Sequence, residues 1–266
     1  MKEIYRKTSK VSFIVGIGTT IFGIIFYFFG YEGFSKNGDT LFEAGLAALF
    51  AIGAGFYFKS AHEKLSNETI SASLLNMENL HELNFQRVPA LLPKIYNVDS
   101  DGNPLFTIEP SKGRFTRWFT VFNLFEKGFI IPVQYDILDT NGQRIATFTI
   151  RDNVKRYELS LRKPDGTLIS TYIQRLSKSA LKNRGTLYNS DGAVWRELEA
   201  KSMAGDIDVV DEKGRMTASY RFGIFPYAMK PAFVSTAHHE HVRLGENISP
   251  DEKLAYIMIF FLWLKG

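Results

Sequence analysis

Ser249-Pro250-Asp251-Glu252-Lys253-Leu254-Ala255-Tyr256-Ile257-Met258-Ile259-Phe260-Phe261-Leu262-Trp263-Leu264 is the stretch whose reading decides the fold. Its first four residues form a strong helix start, with a capping serine, proline at the first helical position and two acids in the first turn. Leu254–Leu264 is then apolar on every side, so a helix made of it has to be surrounded. Eleven such residues give roughly 16 Å of helix, well short of a bilayer core of ~30 Å. A third membrane span is therefore unfavourable, and the interior of a barrel is the other way to enclose the segment.

The chain upstream has the strands to build that barrel. From about residue 95 to 245 the apolar period changes to two. Tyr157, Leu159 and Leu161 alternate with Glu158, Ser160 and Arg162. Phe129, Ile131, Val133, Tyr135 and Ile137 line one face of a second run, and Met216, Ala218, Tyr220, Phe222 and Ile224 that of a third. Between the runs stand Asp101-Gly102, Asn141-Gly142, Asp165-Gly166, Asp191-Gly192 and Lys213-Gly214, the kind of signal a hairpin with a positive-φ turn requires. The last four glycines are spaced 24, 26 and 22 residues apart. The pattern predicts a mainly β meander of ten to twelve short strands, closed or nearly closed.

Repeated hairpins with Asp/Asn-x-Gly turns, ended by an all-apolar helix after Ser249-Pro250-Asp251-Glu252, resemble the tubby C-terminal-like superfamily, which includes tubby, the phospholipid scramblases and the LURP-one-related proteins. The likeness covers roughly residues 95–266. It implies a twelve-stranded antiparallel barrel threaded by a central hydrophobic helix, here 250–265. Tubby binds phosphoinositides through basic residues, but this chain holds no exact counterpart of that site, and no binding residue is carried over.

The N-terminal part departs from tubby and argues against carrying over a nuclear or transcriptional role. Residues 11–31 carry no charge, and 41–58 carry only Glu43, near one end. Each is long enough to cross a bilayer as a helix. The first stretch is too long for a signal peptide and lacks a small-x-small cleavage site. Lys2, Arg6, Lys7 and Lys10 precede the first span, only Lys36 lies in the connecting loop, and Lys59 and Lys64 follow the second. This asymmetry places both the N-terminus and everything after Lys59 in the cytoplasm. Ala47, Ala51 and Gly55, with Gly16, Thr20, Thr19 and Gly23, recur at the four-residue spacing that lets membrane helices approach closely. Ile70, Leu74, Met77 and Leu80 suggest a connecting helix over 66–85, ended by Val88-Pro89 and Leu92-Pro93. The expected organisation is a helical hairpin over 1–58, a helical linker over 59–95 and a barrel over 96–266.

The 266 residues include no cysteine, which excludes disulfides, a thiol nucleophile and cysteine-ligated zinc. No nucleophile elbow or phosphate loop occurs, Gly16-Ile17-Gly18 is not a dinucleotide fingerprint, and Asp99-Ser100-Asp101-Gly102 fails as a calcium loop. His238, His239 and His241 flank Glu240. On a strand His239 and His241 share a face that can hold zinc or copper, or they form a polar strand end. Asp206 and Asp208 can hold a divalent cation or sit on the wet face of a strand.

Charge is more informative. Residues 144–184 carry ten basic residues, namely Arg144, Arg151, Lys155, Arg156, Arg162, Lys163, Arg175, Lys178, Lys182 and Arg184, against three acids. Held beneath a membrane, such a block is drawn to anionic headgroups. Lys112, Arg114, Arg117 and Trp118 form a second, basic-aromatic stretch suited to an interface or to strand packing. Signatures of nucleic-acid binding are missing. The expectation is a multi-pass cell-membrane protein whose non-enzymatic cytoplasmic barrel needs no cofactor and binds anionic phospholipid or a protein partner. The alternative is a metal-dependent enzyme or metal-binding protein built on His238–His241.

Overall fold

The structure, a computed structural model, describes residues 2–29, 39–66, 76–88, 90, 92–100, 102–176, 183–200, 206–223 and 239–264. The chain divides into two compact units, one holding both N-terminal helices and the other all the strands and the C-terminal helix.

Helices α1 (Lys2–Phe28) and α2 (Asp39–Ser66) run antiparallel. Tyr5 meets Phe58, the Ser9 hydroxyl donates to the Gly55 carbonyl at 2.8 Å, and Gly23 lies against Ala44. The buried positions of α1 among its described side chains are 5, 9, 16 and 23, steps of four and seven residues that keep one seam on its partner. Glycine is required where the backbones approach. A Cβ at Gly16 would stand 2.6 Å from Ile52, and one at Gly23 2.5 Å from the Ala44 Cβ. Gly16, Gly23 and Gly55 therefore serve as expected, but on α2 the seam takes Ala48, which is buried, in place of Ala47, which is exposed. Beyond the charged first turns of α1 and last turns of α2, the remaining surface is mostly apolar, and Tyr5–Phe28 and Leu41–Glu63 are long and apolar enough to cross a membrane.

The second unit is one twelve-stranded antiparallel sheet. Its strands are β1 (Glu82–Val88), β2 (Lys94–Val98), β3 (Pro104–Pro110), β4 (Val133–Asp139), β5 (Arg144–Asp152), β6 (Arg156–Arg162), β7 (Leu168–Arg175), β8 (Arg184–Asn189), β9 (Val194–Glu199), β10 (Ile207–Val210), β11 (Met216–Gly223) and β12 (His239–Leu244). They are ordered β10-β11-β12-β1-β2-β3-β4-β5-β6-β7-β8-β9, and the two edge strands come within 8 Å of each other, so the sheet is a nearly closed barrel. Five hairpins share one device. Gly102, Gly142, Gly166, Gly192 and Gly214 all have φ between 75° and 90°, and each amide donates to the carbonyl three residues earlier. In four of them the residue at that earlier position is Asp99, Asp139, Asn189 or Asp211, whose side chain accepts amides across the turn. Each turn adds a one-residue bulge to its hairpin. All five lie at one end of the barrel, because the strands alternate in direction.

Helix α4 (Pro250–Trp263) supplies the core. The Ser249 hydroxyl caps it by accepting the Glu252 amide at 3.2 Å, and every residue from Glu252 to Trp263 is buried. Phe260 stacks on Tyr220 of β11, Phe261 packs on Tyr135 of β4 and Phe148 of β5, and Trp263 meets Tyr172 of β7. Strands thus meet the helix on several sides, as its all-round apolarity requires. Its polar atoms are satisfied: Trp263 Nε1 donates to Gln174 at 2.8 Å, and Glu252 accepts from Tyr256 and pairs with Arg196. Burial of each large apolar side chain contributes ~1.5–3 kcal/mol, so α4 supplies a large share of the barrel's stability.

Three expectations are corrected. The linker helix does not extend to residue 85: β1 begins at Glu82, and both β1 and β2 belong to the barrel. Helical spacing stops at Leu80. From there Leu83 and Phe85 follow a two-residue period into the core. Residues 67–75 lie outside the described residues. Phe129 and Ile131 are not on β4, because the chain turns at Ile130, where φ is 63°. On β11, Met216 is exposed at the turn, and Ile224 falls outside the described residues.

Candidate functional site: an arginine row at one barrel end

The basic block splits between the two ends of the barrel. Arg156 and Arg162 lie on the same face of β6 but six residues apart, about 20 Å along the strand. Arg162 donates to the Gly166 carbonyl, and Lys163 pairs with Asp251 at 3.1 Å, so both serve the turn end. At the other end Arg156 pairs directly with Arg175 across β6 and β7. The β7–β8 register, Ile173 opposite Thr186, continues two residues to bring Arg184 beside Arg175. Three arginines thus stand in a row on three adjacent strands.

They line an outward cleft of about 370 Å³, together with Thr186, Tyr188 and Glu197. The row is framed by acids. Arg156 pairs with Glu158 at 3.0 Å, Arg184 pairs with Glu199, and the Thr186 hydroxyl donates to Glu197 at 3.0 Å. A guanidinium carries five donors in a planar fork, a geometry that suits carboxylate and phosphate anions. The acids also cancel most of the local net charge. Recognition here depends on how the forks are aimed more than on long-range attraction.

Of the other candidates, Arg151 lies on β5 opposite Glu158, exposed, and Lys155 is exposed in the β5–β6 turn at the same end. Lys178 and Lys182 lie outside the described residues, as does His238. His241 lies on β12 with its Nδ1 2.9 Å from the Asn84 side-chain oxygen, and burial holds its imidazole pKa below the ordinary value. Of His239 only the backbone, in β12, is described. Among the described residues no group of three or more His, Asp or Glu side chains is placed to hold a metal ion. Asp208 is engaged by Arg221, and Asp206 accepts the Phe222 amide at 3.3 Å, so each carboxylate ties β10 to β11.

The basic-aromatic stretch is not a strand. Residues 115–126 form a short 3-10 helix, Phe115–Val121, and helix α3, Asn123–Glu126, in the β3–β4 connection. This connection lies at the same end as the arginine row. Arg117 lies over the Trp118 ring at 5.3 Å, and Glu126 is held by Arg87. At the base of β3, burial favours the neutral form of Glu109, but Lys94 and Lys112 hold its carboxyl below the usual range. The arginine row itself is legible in the sequence only in part. The Lys163–Gly166 turn with its single bulge fixes Arg156 opposite Arg175, but no turn signature sets the β7–β8 register.

No family model matches this chain, and no curated protein matches it by sequence. Among solved structures, the chain is similar to the X-ray structure of a protein from Arabidopsis thaliana, at 12% identity and a TM-score of 0.40, over 73% of this chain and 97% of that one.

Proposed function

We propose that this protein is a membrane-anchored, non-enzymatic barrel that binds anionic phospholipid headgroups in the Arg156–Arg175–Arg184 cleft. The observation that carries the reading is the arginine row itself, three guanidinium forks on adjacent strands at one open cleft. Anchoring is supported by the outer surface of α1 and α2, where large side chains such as Phe22, Leu49 and Phe50 are well over half exposed on helices of spanning length. Such a surface is stable only in a non-aqueous surround. The four-to-one lysine and arginine asymmetry across the first span supports a cytoplasmic barrel. Kinship with the tubby C-terminal-like superfamily rests on the repeated Asx-x-x-Gly hairpins and the buried C-terminal helix.

The test uses the full chain in vesicles. Replacing Arg156, Arg175 and Arg184 by glutamine should abolish capture of soluble phosphorylated headgroups such as inositol phosphates while the barrel keeps its cooperative thermal transition. Unchanged capture would show that the cleft is not the binding site. Orientation is tested with single cysteines, since the chain has none. Labelling of a cysteine at Asn183 by an impermeant reagent in intact cells would reverse the topology.

A further inference from the structure

The barrel end that carries the arginine row also carries an apolar rim. Phe115, Trp118 and Phe122, in the β3–β4 connection, are 76%, 53% and 64% exposed; Ile130, in the same connection, is 69% and Val154, in the β5–β6 turn, 66% exposed. These positions are joined by contacts. A chain of rings runs from Phe115 through Phe119 and Phe125 to Phe129, with centroids 5.6, 5.9 and 6.4 Å apart. Phe129 then bridges Asp152, whose carbonyl accepts the Ile130 amide and whose carboxylate accepts the Val154 amide.

Folding does not explain these residues. Ile130 and Val154 have φ of 63° and 68°, the left-handed region that β-branched side chains strongly disfavour. Glycine or asparagine would satisfy the backbone with less strain, and neither apolar side chain is buried in return. Strain kept at an exposed position points to a use outside the fold. Charge identifies the occupant. Residues 111–131 carry Lys112, Arg114, Arg117 and Lys127 against Glu126 alone, and that acid is already engaged by Arg87. Aromatic and branched apolar tips ringed by cations suit the interfacial layer of an anionic bilayer, where tryptophan is favoured and basic side chains reach headgroups.

We propose that this end of the barrel is a bilayer-docking rim: Phe115, Trp118, Phe122, Ile130 and Val154 enter the interfacial layer while Arg114, Arg117 and Lys155 meet its headgroups. The inference rests on the membrane reading above and adds the surface by which the barrel lies on the bilayer.

The experiment uses the full chain with single cysteines at Phe22, Val121 or Asn141, each carrying an environment-sensitive fluorophore. The protein is reconstituted in phosphatidylcholine vesicles with or without phosphatidylserine, made with brominated or ordinary acyl chains. Position 22 reports on the anchor, position 121 on the rim and position 141 on the opposite end of the barrel. Bromolipid should quench positions 22 and 121 but not 141, and quenching at 121 should be stronger with phosphatidylserine. Replacing Ile130 and Val154 together by asparagine should reduce quenching at 121 while the melting temperature holds or rises, an outcome a purely structural role cannot give. If position 121 is as bright as 141 in every vesicle while 22 is quenched, the rim is overturned and a protein partner becomes its occupant. If 22 escapes quenching, the anchor fails, whatever position 121 does.

Discussion

Helix α4 and the pair α1–α2 each carry a long stretch that is apolar on every side, yet these stretches are enclosed in opposite ways. In α4 the large side chains are buried against strands, whereas in α1 and α2 a narrow seam, mostly of small residues with Tyr5 at one end, is buried and most large side chains face outward. Length separates the two cases. The 14 residues of α4 span about 21 Å, which suits a barrel, and the 27 and 28 residues of α1 and α2 span about 40 Å, which exceeds a bilayer core. Polar punctuation separates them too. Ser249, Asp251 and Glu252 start α4 with a cap and an acidic turn, whereas α1 opens on a cluster of lysines and arginine. Hydropathy says that a helix must be enclosed; length and flanking charge say by what.

The contrast breaks most sharply under a buried charge. Phe260→Asp places an unpaired carboxylate between Tyr220 and Trp263, which costs several kcal/mol against a total stability of ~5–15 kcal/mol. The barrel should lose its cooperative thermal transition, followed by circular dichroism in detergent. Phe50→Asp, on the outer face of α2, should leave that transition in place and instead reduce the yield of membrane-inserted chain.

Close packing gives the next largest effect and distinguishes the two units. A Cβ on Gly185 would lie 2.3 Å from the buried Tyr172 hydroxyl, so Gly185→Ala should lower barrel stability by about 1–3 kcal/mol. Gly23→Ile should spare the barrel melt and separate α1 from α2, read by loss of cross-linking between cysteines placed at Phe13 and Phe56, whose rings now meet edge to face at 5.1 Å.

A smaller effect is pH-dependent. Burial lowers the folded-state imidazole pKa of His241 from the ordinary 6.5. The unfolded chain therefore takes up the proton first, and stability declines as pH falls below about 6.5 toward the lowered folded value. His241→Gln should flatten that part of the stability–pH curve, measured by denaturant titration between pH 7 and 5. The smallest expected change is at the turns. Gly142→Ala, at φ 80° in an open turn, should cost about 1 kcal/mol through backbone strain alone.

Much of this organisation can be read from residue order, because it depends on local chemistry. The turn glycines state a positive φ, and Ser249-Pro250 states a helix start. Three features cannot be read that way. Strand β1 is taken for the end of a helix because Met77 and Leu80 precede it at helical spacing and its own two-residue period is short, Leu83 and Phe85, so pairing with β2 and the distant β12 decides it. One position of the α2 seam, Ala48 in place of Ala47, departs from the sequence pattern because the two alanines are chemically identical, and only the partner helix distinguishes them. The arginine row is a sum of registers across three strands: the Lys163–Gly166 turn states that Arg175 lies opposite Arg156, but Arg184 joins them through a β7–β8 pairing no local pattern displays.

The central claim, that protein encloses one apolar helix and lipid the other two, is tested most directly by photolabelling the full chain in membranes. The reagent is a hydrophobic carbene precursor dissolved in the bilayer, and labelled residues are located by mass spectrometry. The account predicts label on outward residues of α1 and α2, such as Phe22, Leu49 and Phe50, and none on Tyr256–Trp263. Label on α4, or none on α1 and α2, would contradict it.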